Sequence, residues 1–249
     1  MTQKTRKSIA VLFFAIGVVF SIEALALTER RMSTGFNPDW TVRLFEKWDN
    51  WTPMLEYQGN HIQGLPLTQT VTLGSYNNAI EGFRWGIFYR RLAGWRYEED
   101  LFKDANGWQW KDSSRRAEDQ LVVDVTPRAA WTFLPGENWL GEFKLRWYQT
   151  LENPHRATLS MRPGVNYAWL RQDQPFINFY LQYEVLVPVN YAQSLLSAQW
   201  AYIGSLYHFQ KWMQVGLYLA RQRQDWMNER IHWMTQSWLV GGLLIFKRD

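Results

Sequence analysis

The chain has 249 residues with 16 Trp, 14 Phe and 12 Tyr, no Cys, and a formal net charge of +4. Mean hydropathy is −0.37, and one long apolar run stands alone at the N-terminus, which excludes a polytopic helical membrane protein built from several apolar stretches of about 18 residues or more. The missing cysteines exclude a disulfide framework and thiolate metal sites, and the charge is too small to call for nucleic acid.

Lys4, Arg6 and Lys7 precede an apolar stretch from Ile9 to Ile22, and Ala24-Leu25-Ala26 places small residues at the spacing of a cleavage site. Residues 1–26 are therefore read as a secretory signal peptide and set aside from the fold. The alternative is a single anchoring helix, for which the stretch is short. Removing Lys4, Arg6, Lys7 and Glu23 takes the net charge from +4 to +2.

Residues 27–53 read as an N-terminal segment with a helix of its own. Asn37 suits a helix cap, Pro38 the first turn, and Asp39 the positive end of the dipole. Trp40, Leu44, Trp48 and Trp51 follow at helical spacing. This predicts a short amphipathic helix over 37–51 lying against a membrane surface; the alternative is an ordinary strand or a plug inside the domain.

From residue 54 onward the period is two, which predicts strands over 54–60, 66–75, 79–91, 120–133, 139–151, 157–170, 176–187, 196–207, 212–223 and 231–246. Most exceed the roughly six residues usual in soluble domains, and they suit tilted membrane-spanning strands of about 9 to 11. From Pro135 on, tight breaks alternate with looser ones. The long stretch 92–119 reads as an external loop, with a protruding hairpin around Asp104-Ala105-Asn106-Gly107. Short turns at one end and longer polar loops at the other are the pattern of an outer-membrane barrel. Trp131, Phe133, Trp139, Trp169, Phe176, Tyr207, Trp212 and Phe246 fall at strand ends beside the tight breaks, as an interfacial girdle would.

The expected fold is all-β: a transmembrane antiparallel up-and-down barrel of 10–12 strands over 54–249, in the outer membrane of a Gram-negative bacterium. An even strand count would put both chain ends on the periplasmic side. Side chains alternate across a strand. Val123, Val125, Phe143, Leu145 and Trp147 then face lipid, while Arg84, Arg90, Asp124, Arg128, Glu142, Lys144, Arg146, Tyr148, Arg162, Tyr180, Glu184 and Tyr218 line the lumen. Thr126, Asn166, Asn178, Gln182, Gln199 and Gln214 extend that inward set. In the last strand Leu239, Leu243 and Ile245 also fall inward, and they are expected to pack on the N-terminal segment. The predicted function is a small pore or channel for hydrophilic solutes, with anionic ones as candidates, because rings of charge set permeant selectivity.

Gly241 and Phe246, with alternating Trp238, Val240, Gly242 and Leu244, resemble the C-terminal assembly signal of outer-membrane proteins. Leu239 departs from that signal, as do Lys247-Arg248-Asp249 after the terminal aromatic. Mature length and inward arginines resemble the small monomeric porins for acidic oligosaccharides, the oligogalacturonate and sialic-acid family. That resemblance implies twelve strands and an arginine-lined lumen. A helix-then-barrel order is similar to the lipid A palmitoyltransferases, so a lipid-modifying enzyme stays open. A structural or partner-binding barrel with a filled lumen stays open as well. His61, His155, His208 and His232 form no His-x-Ser or Asp-x-His pair, so no catalytic residue, metal ligand or cofactor is assigned. The implied partners are outer-membrane lipids and lipopolysaccharide, the barrel assembly machinery and a small hydrophilic solute.

Overall fold

Strict alternation lets each strand satisfy its backbone through its neighbours while one face turns inward, and a sheet of such strands closes on itself. The computed structural model describes residues 29–60, 68–93, 101–104, 107–110, 117–132, 134, 138–189, 198–227 and 232–248. The signal-peptide reading of 1–26, Phe133 and His61 lie outside them.

The strands are β1 (Glu29–Glu46), β2 (Trp51–Asn60), β3 (Thr68–Ile80), β4 (Phe83–Ala93), β5 (Leu101–Asp104), β6 (Gly107–Trp110), β7 (Ala117–Ala130), β8 (Trp139–Thr150), β9 (Ala157–Arg171), β10 (Gln174–Val189), β11 (Ala198–Gln210), β12 (Met213–Met227) and β13 (His232–Arg248). Eleven close into a barrel in the order β1-β13-β12-β11-β10-β9-β8-β7-β4-β3-β2. β5 and β6 pair apart as a two-stranded sheet, Asp104 opposite Gly107, inside the stretch read as an external loop.

Two expectations are corrected. No helix occurs among the described residues: 37–46 end β1, 47–50 form a turn and Trp51 opens β2. The spacing of four between Trp40 and Leu44 fits a period of two as well as 3.6. Asn37, Asp39 and Thr41 are buried on the inner face while Trp40 and Leu44 stand exposed. Trp48 and Trp51 bridge each other across Asp49, whose φ is 52°. Among the described residues the barrel has eleven strands, neither ten nor twelve, because the N-terminal segment adds one strand and β5 and β6 pair apart from the barrel.

β1 runs parallel to β13, from Glu29↔His232 to Glu46↔Arg248, and the other barrel pairs are antiparallel. The start of β1 and the end of β13 therefore lie at opposite ends of the barrel, not at one end as an even count would have it. Connections at the β13 exit are 47–50, 81–82, 131–138, 172–173 and 211–212; those at the other end include 94–116 and 190–197. We call these the turn end and the loop end.

The outer wall is apolar. Leu55, Leu73, Ile87, Phe143, Leu181, Ile203, Leu217 and Val240 are among its exposed side chains, a far larger patch than soluble monomers show. At the turn end the rings run from strand to strand: Trp51–Trp85, Trp139–Tyr167, Trp169–Phe176–Tyr207–Phe209, and Trp212 stacked on Phe246. Trp131 packs over Gly141 beside them.

The β9–β10 turn carries Gln172 (φ 53°) and Asp173 (φ 58°). Two successive positive φ values suit Asn-Gly, and ordinary side chains there are strained. Replacing Gln172-Asp173 with Asn-Gly is expected to raise stability by about 1 kcal/mol, read as a higher urea midpoint.

Candidate functional site: the inner wall

The inner face is built by register. Even-numbered positions of β2, β3, β4, β7, β8, β9, β10, β11 and β12 turn inward, as do odd-numbered positions of β13 and, past the bulge between Ser33 and Phe36, of β1. Eight cations on described strand positions share that face: Arg43, Arg84, Arg90, Arg128, Lys144, Arg146, Arg162 and, at the rim, Lys247. Six carboxylates join them: Asp39, Glu56, Glu118, Asp124, Glu142 and Glu184.

They meet in a chain of contacts around the wall. Arg43 Nε donates to Glu56 at 2.5 Å. Arg146 donates to Asp124 at 2.8 and 3.1 Å, Thr126 donates to the other Asp124 oxygen at 2.8 Å, and Lys144 Nζ stands 3.3 Å away. Arg128 faces Glu142 at 3.7 Å, and Gln182 donates to Glu142 at 2.9 Å. Arg162 faces Glu184 at 3.8 Å, and Ser160 donates to Glu184. Thr150 donates to Glu118 at 3.0 Å. The Arg84 guanidinium lies 4.1 Å from the Tyr76 ring centre, and that of Arg90 5.1 Å from Tyr148. Like charges brought together this closely stay folded because each cluster carries its own counter-charge.

Depth separates the two signs. Paired side chains are 35% exposed for Arg43 against 14% for Glu56, 31% for Arg128 against 11% for Glu142, 23% for Arg146 against 0% for Asp124, and 20% for Arg162 against 11% for Glu184. Short carboxylates stay at the wall and long arginines reach past them, so accessible interior surface at these pairs is guanidinium. Lys144, 7% exposed, is held back at the wall.

The inner wall is not uniform. Met54, Tyr76, Phe88, Val122 and Tyr148 form an apolar cluster on the β2–β8 side, with Phe45 packed against it. On the far side the rings lie flat: Tyr180 covers Gly204 and Tyr218 covers Gly241. Tyr218 also donates its hydroxyl to Asp39 across β13, and Gln58 donates to the same carboxylate at 3.2 Å. Leu239 and Ile245 are buried beside β1, opposite Asn37 and Arg43.

Each of the twelve residues expected to line the lumen stands at an inward position. Gln199 does not. It is paired with Val185 on the outer face and accepts from Tyr183 at 2.7 Å, since the inward positions of β11 are Ala198, Trp200 and Tyr202. Asn178 and Gln214 flank the His208 ring at 2.9 and 3.0 Å near the turn end. His155 is exposed in the 151–156 connection, while Ser160 is buried against Glu184. Asp39, Arg43, Glu56, Tyr76, Glu118 and Ser160 belong to the inner network and were not anticipated. For the first two the signal was present in the alternation of Asn37, Asp39, Thr41 and Arg43 with Pro38, Trp40, Val42 and Leu44. Compared with known proteins, the chain matches no protein-family model and no curated protein sequence.

Proposed function

We propose that this barrel resides in a bacterial outer membrane and provides a narrow passage for small hydrophilic anions, acidic oligosaccharides among them. The observation that carries the reading is the difference in depth between guanidinium and carboxylate at four inner pairs. An anion inside meets arginine forks that suit carboxylate and phosphate oxygens, while the balancing negative charge lies behind them. Flat packing of Tyr180 and Tyr218 on glycines keeps those rings off the barrel axis and offers faces on which sugar rings can stack. The apolar outer wall and the turn-end belt are what a bilayer location requires.

The test is conductance in planar bilayers. Purified protein is expected to insert in discrete steps and to prefer anions in the reversal potential under a potassium chloride gradient. Arg128→Glu with Arg162→Glu is expected to reverse the sign of that potential. Folding of each variant is checked by heat-modifiable migration on gels. A correctly folded barrel that never conducts would overturn the reading.

A closed structural barrel is the second reading, favoured by the cluster of Met54, Tyr76, Phe88, Val122 and Tyr148 on one side of the interior. It predicts the same folding with silent bilayers, so one measurement separates the two.

A further inference from the structure

We propose that Arg221 and Arg223, with Trp238 and Gln236, form a binding site on the outer wall for the phosphate group of a membrane lipid at the loop end of the barrel. The inference rests on the reading that this wall lies in a bilayer.

Arg221 and Arg223 occupy successive outward positions of β12, opposite Trp238 and Gln236 of β13. Arg221 Nη2 donates to Gln236 Oε1 at 3.4 Å, and its guanidinium lies 6.0 Å from the Trp238 ring centre. The wall below is Leu217, Leu219 and Val240, all exposed. On the other side β11 presents Ala201 and Gln199 opposite the two arginines.

Other outward cations among the described residues are Arg91, Arg171 and Arg248. Arg91 faces Asp119 at 3.7 Å, and Arg248 faces Glu46 at 3.8 Å. Arg171 sits in the turn-end belt, 5.7 Å from the Phe176 ring centre. Arg221 and Arg223 are two cations of one sign on adjacent outward positions, with glutamine, alanine and tryptophan across from them. Asp225 is the next outward position, farther toward the loop end.

Height fixes what such a pair can meet. Trp212 belongs to the turn-end belt in the turn just before β12, and Arg221 comes nine residues later along the chain. At roughly 3.3 Å per residue and a tilt of about 40°, that is ~23 Å of barrel height, close to the ~25 Å apolar band of outer-membrane barrels. The arginines therefore stand at the far headgroup level while Leu217 and Leu219 stand at acyl depth. Successive outward positions are about 6.6 Å apart, within which two guanidinium forks can grip the oxygens of one phosphate. A free phosphate would use the arginines alone. A lipid phosphate also gains the apolar wall beneath and the Trp238 ring beside it, and this favours the lipid as occupant.

The experiment uses the full chain, refolded and first inserted into phosphatidylcholine vesicles. Protease protection and heat-modifiable migration there test the bilayer reading. Failure to insert overturns that reading and the site with it. The inserted protein is then taken into detergent micelles with diphosphoryl lipid A, and retained lipid is counted by native mass spectrometry. The parent is expected to retain lipid A. Arg221→Gln with Arg223→Gln is expected to lower retention about tenfold or more, and Arg91→Gln is expected to leave it unchanged. Inorganic phosphate at the same concentration is expected not to displace the lipid. Equal retention by the double variant, an equal loss in Arg91→Gln, or displacement by inorganic phosphate overturns the site while leaving the inserted barrel intact.

Discussion

An Asp124→Asn barrel is expected to unfold from vesicles at a much lower urea concentration than the parent, having lost about 3–5 kcal/mol. Asp124 has no exposed surface, and three neighbours converge on it: Arg146 at 2.8 Å, Thr126 at 2.8 Å and Lys144 at 3.3 Å. The amide keeps the shape and can still accept from Thr126. It removes the charge, so a buried ammonium and a partly buried guanidinium are left facing each other where water screens them poorly. Adding Lys144→Met removes one of the stranded cations and is expected to recover a large part of the loss. Tryptophan fluorescence during urea titration gives the coupling as a double-mutant cycle. A single-variant loss below about 1 kcal/mol would show that water reaches the triad and that the wall there is open.

Most of the barrel was legible because its chemistry repeats at the period of its backbone. From Val123 to Val125 and from Phe143 to Trp147, apolar and charged residues alternate without interruption, and that alternation locates β7 and β8, although β7 covers 117–130 where the periodicity predicts 120–133. Legibility fails where one physical rule mimics another. Trp40 and Leu44 are four apart, a spacing shared by a helix face and a strand face, and Asn37-Pro38-Asp39 adds cap chemistry that the strand never uses. The Glu81-Gly82 turn hid inside a predicted strand over 79–91, because two residues are enough when Gly82 takes φ 69°. β11 misled for a different reason. Its inner face carries Trp200 and Tyr202 and its outer face Gln199 and Ser205, so polarity does not sort the two faces. The contacts that sort them are long-range, Glu184 opposite Trp200 and Gly204 opposite Tyr218.

The inner site divides in the same way. Its arginines could be located from alternation, since an inward position is a local property. Their pairing could not, because Arg162 meets Glu184 and Gln182 meets Glu142 only after barrel closure sets the registers of three strands. The depth difference between cation and carboxylate likewise follows from closure, which decides how far each side chain reaches.

Gly241→Val is expected to cost about 3 kcal/mol, while Gly242→Ala, one residue on, is expected to be close to neutral. The two glycines are neighbours in β13 with opposite surroundings. A side chain at Gly241 would overlap the Tyr218 ring, whereas one at Gly242 would meet nothing within 4 Å. To admit valine, Tyr218 has to swing off the wall and give up its hydrogen bond to Asp39. Asp39 lies directly across from Gly241 in the parallel pair between β1 and β13, so the loss falls on the contact that joins the first and last strands. Unfolding midpoints of the two variants decide the matter. A further variant, Gly241→Val with Tyr218→Ala, removes the obstruction and is expected to regain the overlap part of the loss but not the Asp39 bond. If Gly241→Val and Gly242→Ala proved equally mild, Tyr218 would not be seated on Gly241, and a seam closed by β1 against β13 would lose its clearest side-chain support.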